Sequence, residues 1–546
     1  MRSRNLFFFV ITALFVLVSG CGTNSNCPVC GTTENGSYTI INIIPVPEHN
    51  PTGAPGGPFN SFDISWVDPV NHRFYVADRI GLDVVVVDTL KNVALNAIGG
   101  DNTVAIPASL TPSPCIKDAG GNDIIPPLRS VDQTDFTRFG CRTAPPGGTA
   151  FSIPNFGASG DLGGFPGAQC CASRGNGVNP LSCPCGIVVT ADGKTMFVGN
   201  ASSSVVVFDL TTNPPTVIAD IPTGQPPDFD ALPDGVGPCI VSSAGRALSD
   251  PTCGDMRADE MSYDEKDKVL LVDNGDPGVP FITLINVANV VSRTGTVSQQ
   301  HCLPVTPNQP YSFANPPTCI LGQIWFDGSP TNSTGSCNVA SSAPLAGIAG
   351  VPCIHAPVAP AGLGGSAFNP NSGRFLSVLP NNGPDPTLGE VEEIDFTAFG
   401  TARPVITKTF PIKNCMPTSI VQGPGNNFLV GCADHDGVAF PPNEYVIDGS
   451  SGTILATIDK VGGVDEIWFN PGDNRYYLAA RDMPGGPVLG VIDAKTNQWL
   501  MNAATNSNSH SVAVDPSNNH VFVPLQSGGV CGTQSQNGCI AVYARQ

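Results

Sequence analysis

"DEIWFNPGDNRYYLAARD", residues 465–482, decides how this chain is read. Two adjacent carboxylates, Asp465 and Glu466, open it, and an Arg–Asp pair closes it. An apolar run passes into a turn built from Asn, Pro, Gly and Asp, and a second apolar run follows. Turn formers between two β-rich runs predict a hairpin. A third run, "GVIDAKTNQ", and a weaker fourth, "WLMNA", come directly after it. The unit therefore reads as four short strands.

The same grammar recurs. "DISWVDPVNHRFYVAD" starts at Asp63, "CGIVVTADGKTMFVGN" at Cys185 and "DEMSYDEKDKVLLVDN" at Asp259. "GGSAFNPNSGRFLSV" starts at Gly364, "PTSIVQGPGNNFLVG" at Pro417 and "HSVAVDPSNNHVFVP" at His510, which makes seven copies. Third strands such as "DVVVVDTL", "SVVVFDLT" and "EYVIDGSS" follow, with an Asp late in most of them. One copy is too short to bury a face alone, whereas stacked copies share a core. Radial stacking leaves only short strand edges. The expected fold is all-β, a seven-bladed β-propeller. These motifs resemble the YVTN/NHL repeat group, most closely in "DPVNHRFYVADRIGLDVVVVD" (68–88), and the resemblance covers most of residues 38–546. It implies the architecture and leaves activity open, because such folds host enzymes, ligand binders and scaffolds.

The last copy reaches only a third strand, and a lone strand, "SYTIINIIPV" (Ser37–Val46), precedes the first copy. It is expected to supply the missing fourth strand and close the ring. The early copies are widely spaced, which predicts insertions at 101–183, 225–257 and 298–361, rich in Pro, Gly and Cys. Loops this long are functional or disordered.

Arg2 and Arg4 precede the apolar run Leu6–Val18, as in a signal peptide. "VSGC", Val18–Cys21, resembles a bacterial lipobox. It implies cleavage before Cys21, lipid on its sulfur, a tether over 21–36 and a propeller over 37–546. An ordinary signal peptide or a membrane anchor are the alternatives for 1–20. Gly22 in place of Asp gives no inner-membrane retention signal, so the expected location is the outer membrane or cell surface, with periplasmic or secreted as the alternative. Without Cys21, eighteen of the 19 cysteines remain. In an exported chain these pair as disulfides by default. Cys415–Cys432, Cys531–Cys539, Cys239–Cys253 and Cys337–Cys353 are close enough in sequence to staple one hairpin or loop. "CPVC" (27–30) and "CPC" (183–185) read as disulfide or metal ligands.

The net charge is −20, which argues against nucleic-acid partners. No cysteine pair reads C-x-x-C-H, which argues against covalent haem. The partners expected are the membrane, through Cys21, and a protein or other extracellular ligand. Aligning the copies puts Asp63, Cys185, Asp259, Gly364, Pro417, Asp465 and His510 at one mouth of the channel, with Glu260 and Glu466 beside them. Asp63, Asp259, Glu260, Asp465, Glu466 and His510 form a candidate cation site. Such a donor set suits calcium, or manganese or zinc. Equally, an Asp at a strand entry can accept backbone N–H bonds. "ADHDG" (433–437) and "DFDALPDG" (228–235) are secondary acidic candidates, and "TDFTRFGCRTAPPGG" (134–148) in the first insertion is a candidate contact surface. No G-x-S-x-G, H-E-x-x-H or P-loop motif occurs. The reading is a binding scaffold. The alternatives are a metal-dependent, lactonase-like enzyme at the channel mouth, or an accessory subunit of an exported redox complex.

Overall fold

The computed structural model describes residues 37–47, 59, 61–79, 83–99, 116–117, 123–124, 184–200, 203–213, 215–224, 258–275, 280–303, 317–334, 351–383, 385, 387–396, 404–433 and 441–546. Seven sheets, antiparallel except for one added strand in blade 3, form the blades of a propeller. Their innermost strands are Phe62–Asp68, Pro184–Val189, Met261–Asp264, Ser366–Asn369, Met416–Gln422, Glu466–Asn470 and Ala513–Asp515, numbered blades 1 to 7 in that order. Blades pack face to face. The run Val84–Val87 is therefore buried throughout rather than alternating, since each side of the sheet meets a neighbour.

The recurrent Asp after the third strand has a local cause. Asp88 accepts the amides of Leu90 (3.1 Å) and Lys91 (3.0 Å), and Asp493 those of Lys495 (3.0 Å) and Thr496 (2.8 Å). Asp68 does the same in the first turn of blade 1, toward Val70 at 2.9 Å. These Asx turns satisfy amides that the strands leave unpaired. They also hold the carboxyls of Asp88 and Asp493 below the usual range against the opposing effect of burial.

The strand Tyr38–Pro45 pairs antiparallel with Cys539–Arg545 and becomes the outer strand of blade 7, with a bulge between Ile40 and Asn42. Ring closure by the N-terminal strand is thus observed. Tyr38 reaches beyond its own blade, to Tyr477, Arg475 and Asp473 of blade 6.

One boundary needs correction. The stretch 298–361, read as an insertion, contains the fourth strand of blade 3, Ile320–Phe326, and a fifth strand, Cys353–Ala356, that adds to it in parallel. Two short helices, Ala288–Ser292 and Val297–Gln300, separate the third strand from the fourth. That separation hid the strand from a search for four closely spaced runs. Residues 1–36, and nearly all of 101–183 and 225–257, lie outside the described residues.

Disulfides join Cys415 to Cys432 and Cys531 to Cys539, as expected from spacing. A further bond, Cys302–Cys319, was not anticipated; it ties the helical connection to the start of the fourth strand of blade 3. Cys353 is disulfide-bonded, while Cys337 and the Cys239–Cys253 pair lie outside the described residues. Cys415–Cys432 closes a 17-residue separation around the first hairpin of blade 5. Replacing both cysteines by Ala is expected to cost about 2–3 kcal/mol, chiefly by freeing the unfolded chain. Calorimetry of the double variant checks this, and an unchanged melting temperature would refute it.

Candidate functional site at the channel mouth

Every innermost strand starts at the same end of the channel, and the second strand returns there. Sequence neighbours of those strand ends therefore meet. Arg79 directly follows the second strand of blade 1, and Arg481 the second strand of blade 6. Sixteen residues separate Asp63 from Arg79, and the same interval separates Asp465 from Arg481. The two blades thus build equivalent ion pairs. Arg79 Nη2 bonds Asp63 Oδ2 and also lies 3.8 Å from Asp259 Oδ1 of blade 3. Arg481 Nη1 lies 2.9 Å from Asp465 Oδ2.

Glu260 and Glu466 hydrogen-bond to each other through their carboxyl groups. They come from blades 3 and 6, so this bond crosses the channel. Two carboxyls can share such a bond only when one keeps its proton. Burial favours this, and the charges of Asp259, Asp273 and Asp465 reinforce it. Together they push Glu260 up to about 8, against the lowering effect of its bond to Glu466. Burial, Glu260 and Asp465 raise Glu466 well above the ordinary range. Glu260 reaches toward Gly365 of blade 4. A Cβ there would stand 3.6 Å from Glu260 Oε2 and 3.3 Å from the Ser419 backbone.

His510 sits in a stack with Phe62, ring centroids 4.7 Å apart and planes 5° apart. Both ring nitrogens face backbone carbonyls: Nε2 lies 2.7 Å from Phe62 O and Nδ1 2.9 Å from Asn508 O. Asp63 Oδ1 is 4.0 Å from Nε2. Burial holds the imidazole down, to about 4, with Arg481 and Arg79 acting the same way and Asp465 and the Asn508 carbonyl opposing them, so the neutral ring donates to one of the two carbonyls. His510 thus joins blade 7 to blade 1 through a main-chain contact, and Ser65 Oγ and Ser511 Oγ add a second tie at 2.7 Å.

The structure brings Asp63, Asp259 and His510 to one side of the mouth and joins Glu260 to Glu466 across it. Among the described residues, one donor triad has metal-compatible spacing: single ligand atoms of Asp63, Cys185 and Asp259 lie within 4.8 Å of one another. The fit to a cation is poor, because Arg79 already approaches both aspartates, and a cation there would displace it. The sequence reading missed Arg79 and Arg481, although the repeated interval was visible. It also missed Asp273, which Ser377 approaches at 3.3 Å and which burial raises well above its ordinary value. Residues 434–437 of "ADHDG", and all of 228–235 and 134–148, lie outside the described residues.

No protein-family model matches the chain, and no curated protein matches it. Among solved structures, the chain is similar to one titled "Kuenenia stuttgartiensis Hydrazine Synthase", at 13% identity and a TM-score of 0.46, covering 90% of this chain and 96% of that one. It is also similar to a chain of "Crystal Structure of Mitotic Checkpoint Complex", at 9% identity and a TM-score of 0.45, covering 97% and 99%. Both likenesses are too distant to bear on activity, and the propeller rests on its strand pairing.

Proposed function

We propose that the chain is a YVTN/NHL-type propeller, exported and lipid-anchored at Cys21, that acts as a binding scaffold at the cell surface or in the periplasm. One observation carries the reading. The ionisable groups at the mouth answer one another: Asp63 and Asp259 share Arg79, Asp465 holds Arg481, Glu260 holds Glu466, and His510 faces carbonyls. Such groups tie blades 1, 3, 6 and 7 together. A metal-dependent catalyst instead needs ligands that face an open coordination position. The disulfides Cys302–Cys319, Cys415–Cys432 and Cys531–Cys539 support export, since such bonds persist in oxidising compartments. The recognition surface is assigned to the cysteine-rich insertions.

The second reading, a cation-dependent enzyme at the mouth, has the Asp63–Cys185–Asp259 spacing in its favour. Elemental analysis of the purified protein separates the two. Less than a tenth of a metal equivalent is expected, unchanged in Asp63→Asn and Asp465→Asn. A stoichiometric divalent metal that is lost in both variants would replace the scaffold reading with the enzymatic one.

A further inference from the structure

We infer that the disk rests on the lipid bilayer by the face opposite the acidic mouth, with the rim of blades 7 and 1 in the headgroup layer. This rests on the anchored reading above and adds an orientation to it.

Strand direction defines the two faces. Innermost strands run away from the mouth, so the turns after the first and third strands fall on the opposite face. Fourth strands start there too. Tyr38 begins such a strand, so the chain enters the fold on this turn face. Sixteen residues, Cys21–Gly36, lie between the proposed lipid and the fold, at most about 55 Å of chain even fully extended. A lipid at Cys21 therefore reaches a bilayer on the turn face by the shorter path, because the chain enters the fold on that side.

The exposed large apolar side chains among the described residues follow the same polarity. Ile40 and Ile41 occupy the first half of the closing strand. Val70, Leu90 and Val93 lie in or beside the turns of blade 1, and Ile454 and Leu455 start the fourth strand of blade 5. Val358 follows the extra parallel strand of blade 3 and is the exception. Leu90 is 55% exposed and Val93 45%, values that leave these side chains open to a partner. Blades 7 and 1 meet between these groups, where Asn42 Nδ2 donates to Asn92 O at 2.9 Å. Exposed apolar residues gathered on one face mark a contact surface, while scattered ones do not.

Charge is mixed on both faces, so apolar exposure carries the placement. Lys91, Lys194, Lys266, Lys268 and Lys495 lie on the turn face beside its capping aspartates. The mouth face has Asp259, Glu260, Asp465 and Glu466 with Arg79 and Arg481. Large apolar side chains beside lysines suit the headgroup boundary.

The test is hydrogen exchange on the full acylated chain in phosphatidylcholine vesicles, compared with the same protein in detergent-free solution after removal of the acylated N-terminus. Vesicles are expected to slow exchange at least threefold over residues 38–44 and 89–95 and to leave 258–260 and 464–466 unchanged. The double variant Ile41→Glu, Leu90→Glu, at exposed positions and with an unchanged melting temperature, is expected to abolish the slowing. Slowing at the mouth segments, or at neither set, overturns the inference. The mass of the N-terminal peptide reports acylation separately. If Cys21 carries no lipid, the anchored reading fails on its own. The orientation is then decided by the same measurement on chain 22–546, held by an N-terminal hexahistidine tag to vesicles containing nickel-chelating lipid.

Discussion

Tyr38→Ala is expected to destabilise the propeller by about 4 kcal/mol, and Tyr38→Phe by about 1–2 kcal/mol. Tyr38 is buried in the strand that closes the ring, and its ring meets that of Tyr477 edge-on, centroids 5.7 Å apart. Its hydroxyl lies 2.7 Å from the Tyr477 hydroxyl and accepts from Arg475 Nη1 at 2.5 Å. Tyr477 donates in turn to Asp473 Oδ2 at 2.6 Å. Burial raises both phenols above their ordinary range, so they stay protonated and able to donate. The network joins blade 7, through its borrowed strand, to blade 6.

Truncation to Ala removes the buried ring and leaves Arg475 with one acceptor fewer in an interior site. The Phe variant removes only the hydroxyl. The loss concentrates at the ring's closure, because the 38–45 strand covers the edge of Cys539–Arg545. Freed, that edge exposes a template for pairing with other chains. Thermal melting should therefore fall in the order parent, Phe, Ala. Limited proteolysis should cut the Ala variant first near residues 37–47. An Ala variant that melts with the parent would show that the N-terminal strand is not what holds the ring shut.

Seven copies of one hairpin grammar made the architecture legible, as did the lone strand before the first of them. The Asp late in most third strands was legible as turn chemistry, and the structure supplies its amide partners. The mouth was legible only as a set of aligned positions. Asp63 and Asp465 stand out in the alignment, but their cations arrive from the far end of the second strand, sixteen residues on. Nothing in the sequence around His510 indicates that its Nε2 would meet the Phe62 carbonyl of the next blade. The Glu260–Glu466 bond depends on side-chain reach across the channel, which no repeat pattern encodes. The fourth strand of blade 3 was missed for a different reason. Its run, "ILGQIWF", is strongly apolar, yet two helices and a disulfide-closed loop displace it from the expected spacing.

Raising the pH from 6.5 to 9 is expected to remove about 4 kcal/mol of stability, and Glu466→Gln to restore about half of it. Glu260 is lifted from 4.5 to about 8, mainly by burial and then by Asp259. Glu392 is lifted to a similar value by burial and by Glu390. Both acids therefore keep a proton in the folded state at pH values where the unfolded chain has lost it. The unfolded state binds fewer protons, so stability falls with rising pH. The benefit is whole below about pH 4.5 and gone above about pH 8. The part of each shift lying above pH 6.5 is worth about 2 kcal/mol.

Two opposing contributions fall outside this window. His510, held down to about 4, adds stability as pH rises toward 6.5. The turn aspartates Asp88, Asp448, Asp493 and Asp515 have lowered values, so they act only in acid, where stability falls with falling pH. In Glu466→Gln the amide can donate to the Glu260 carboxylate without a shared proton, so the channel-crossing bond survives ionisation. Glu392→Gln, between blades 3 and 4, should restore its own share independently, because the two sites share no partner. Denaturation midpoints of parent, both single variants and the double variant at pH 6.5 and 9 give the four values required. A parent whose stability is flat over that range would mean that the acids ionise in place, with water entering the channel to solvate them. The carboxyl bond would then not be what joins blades 3 and 6.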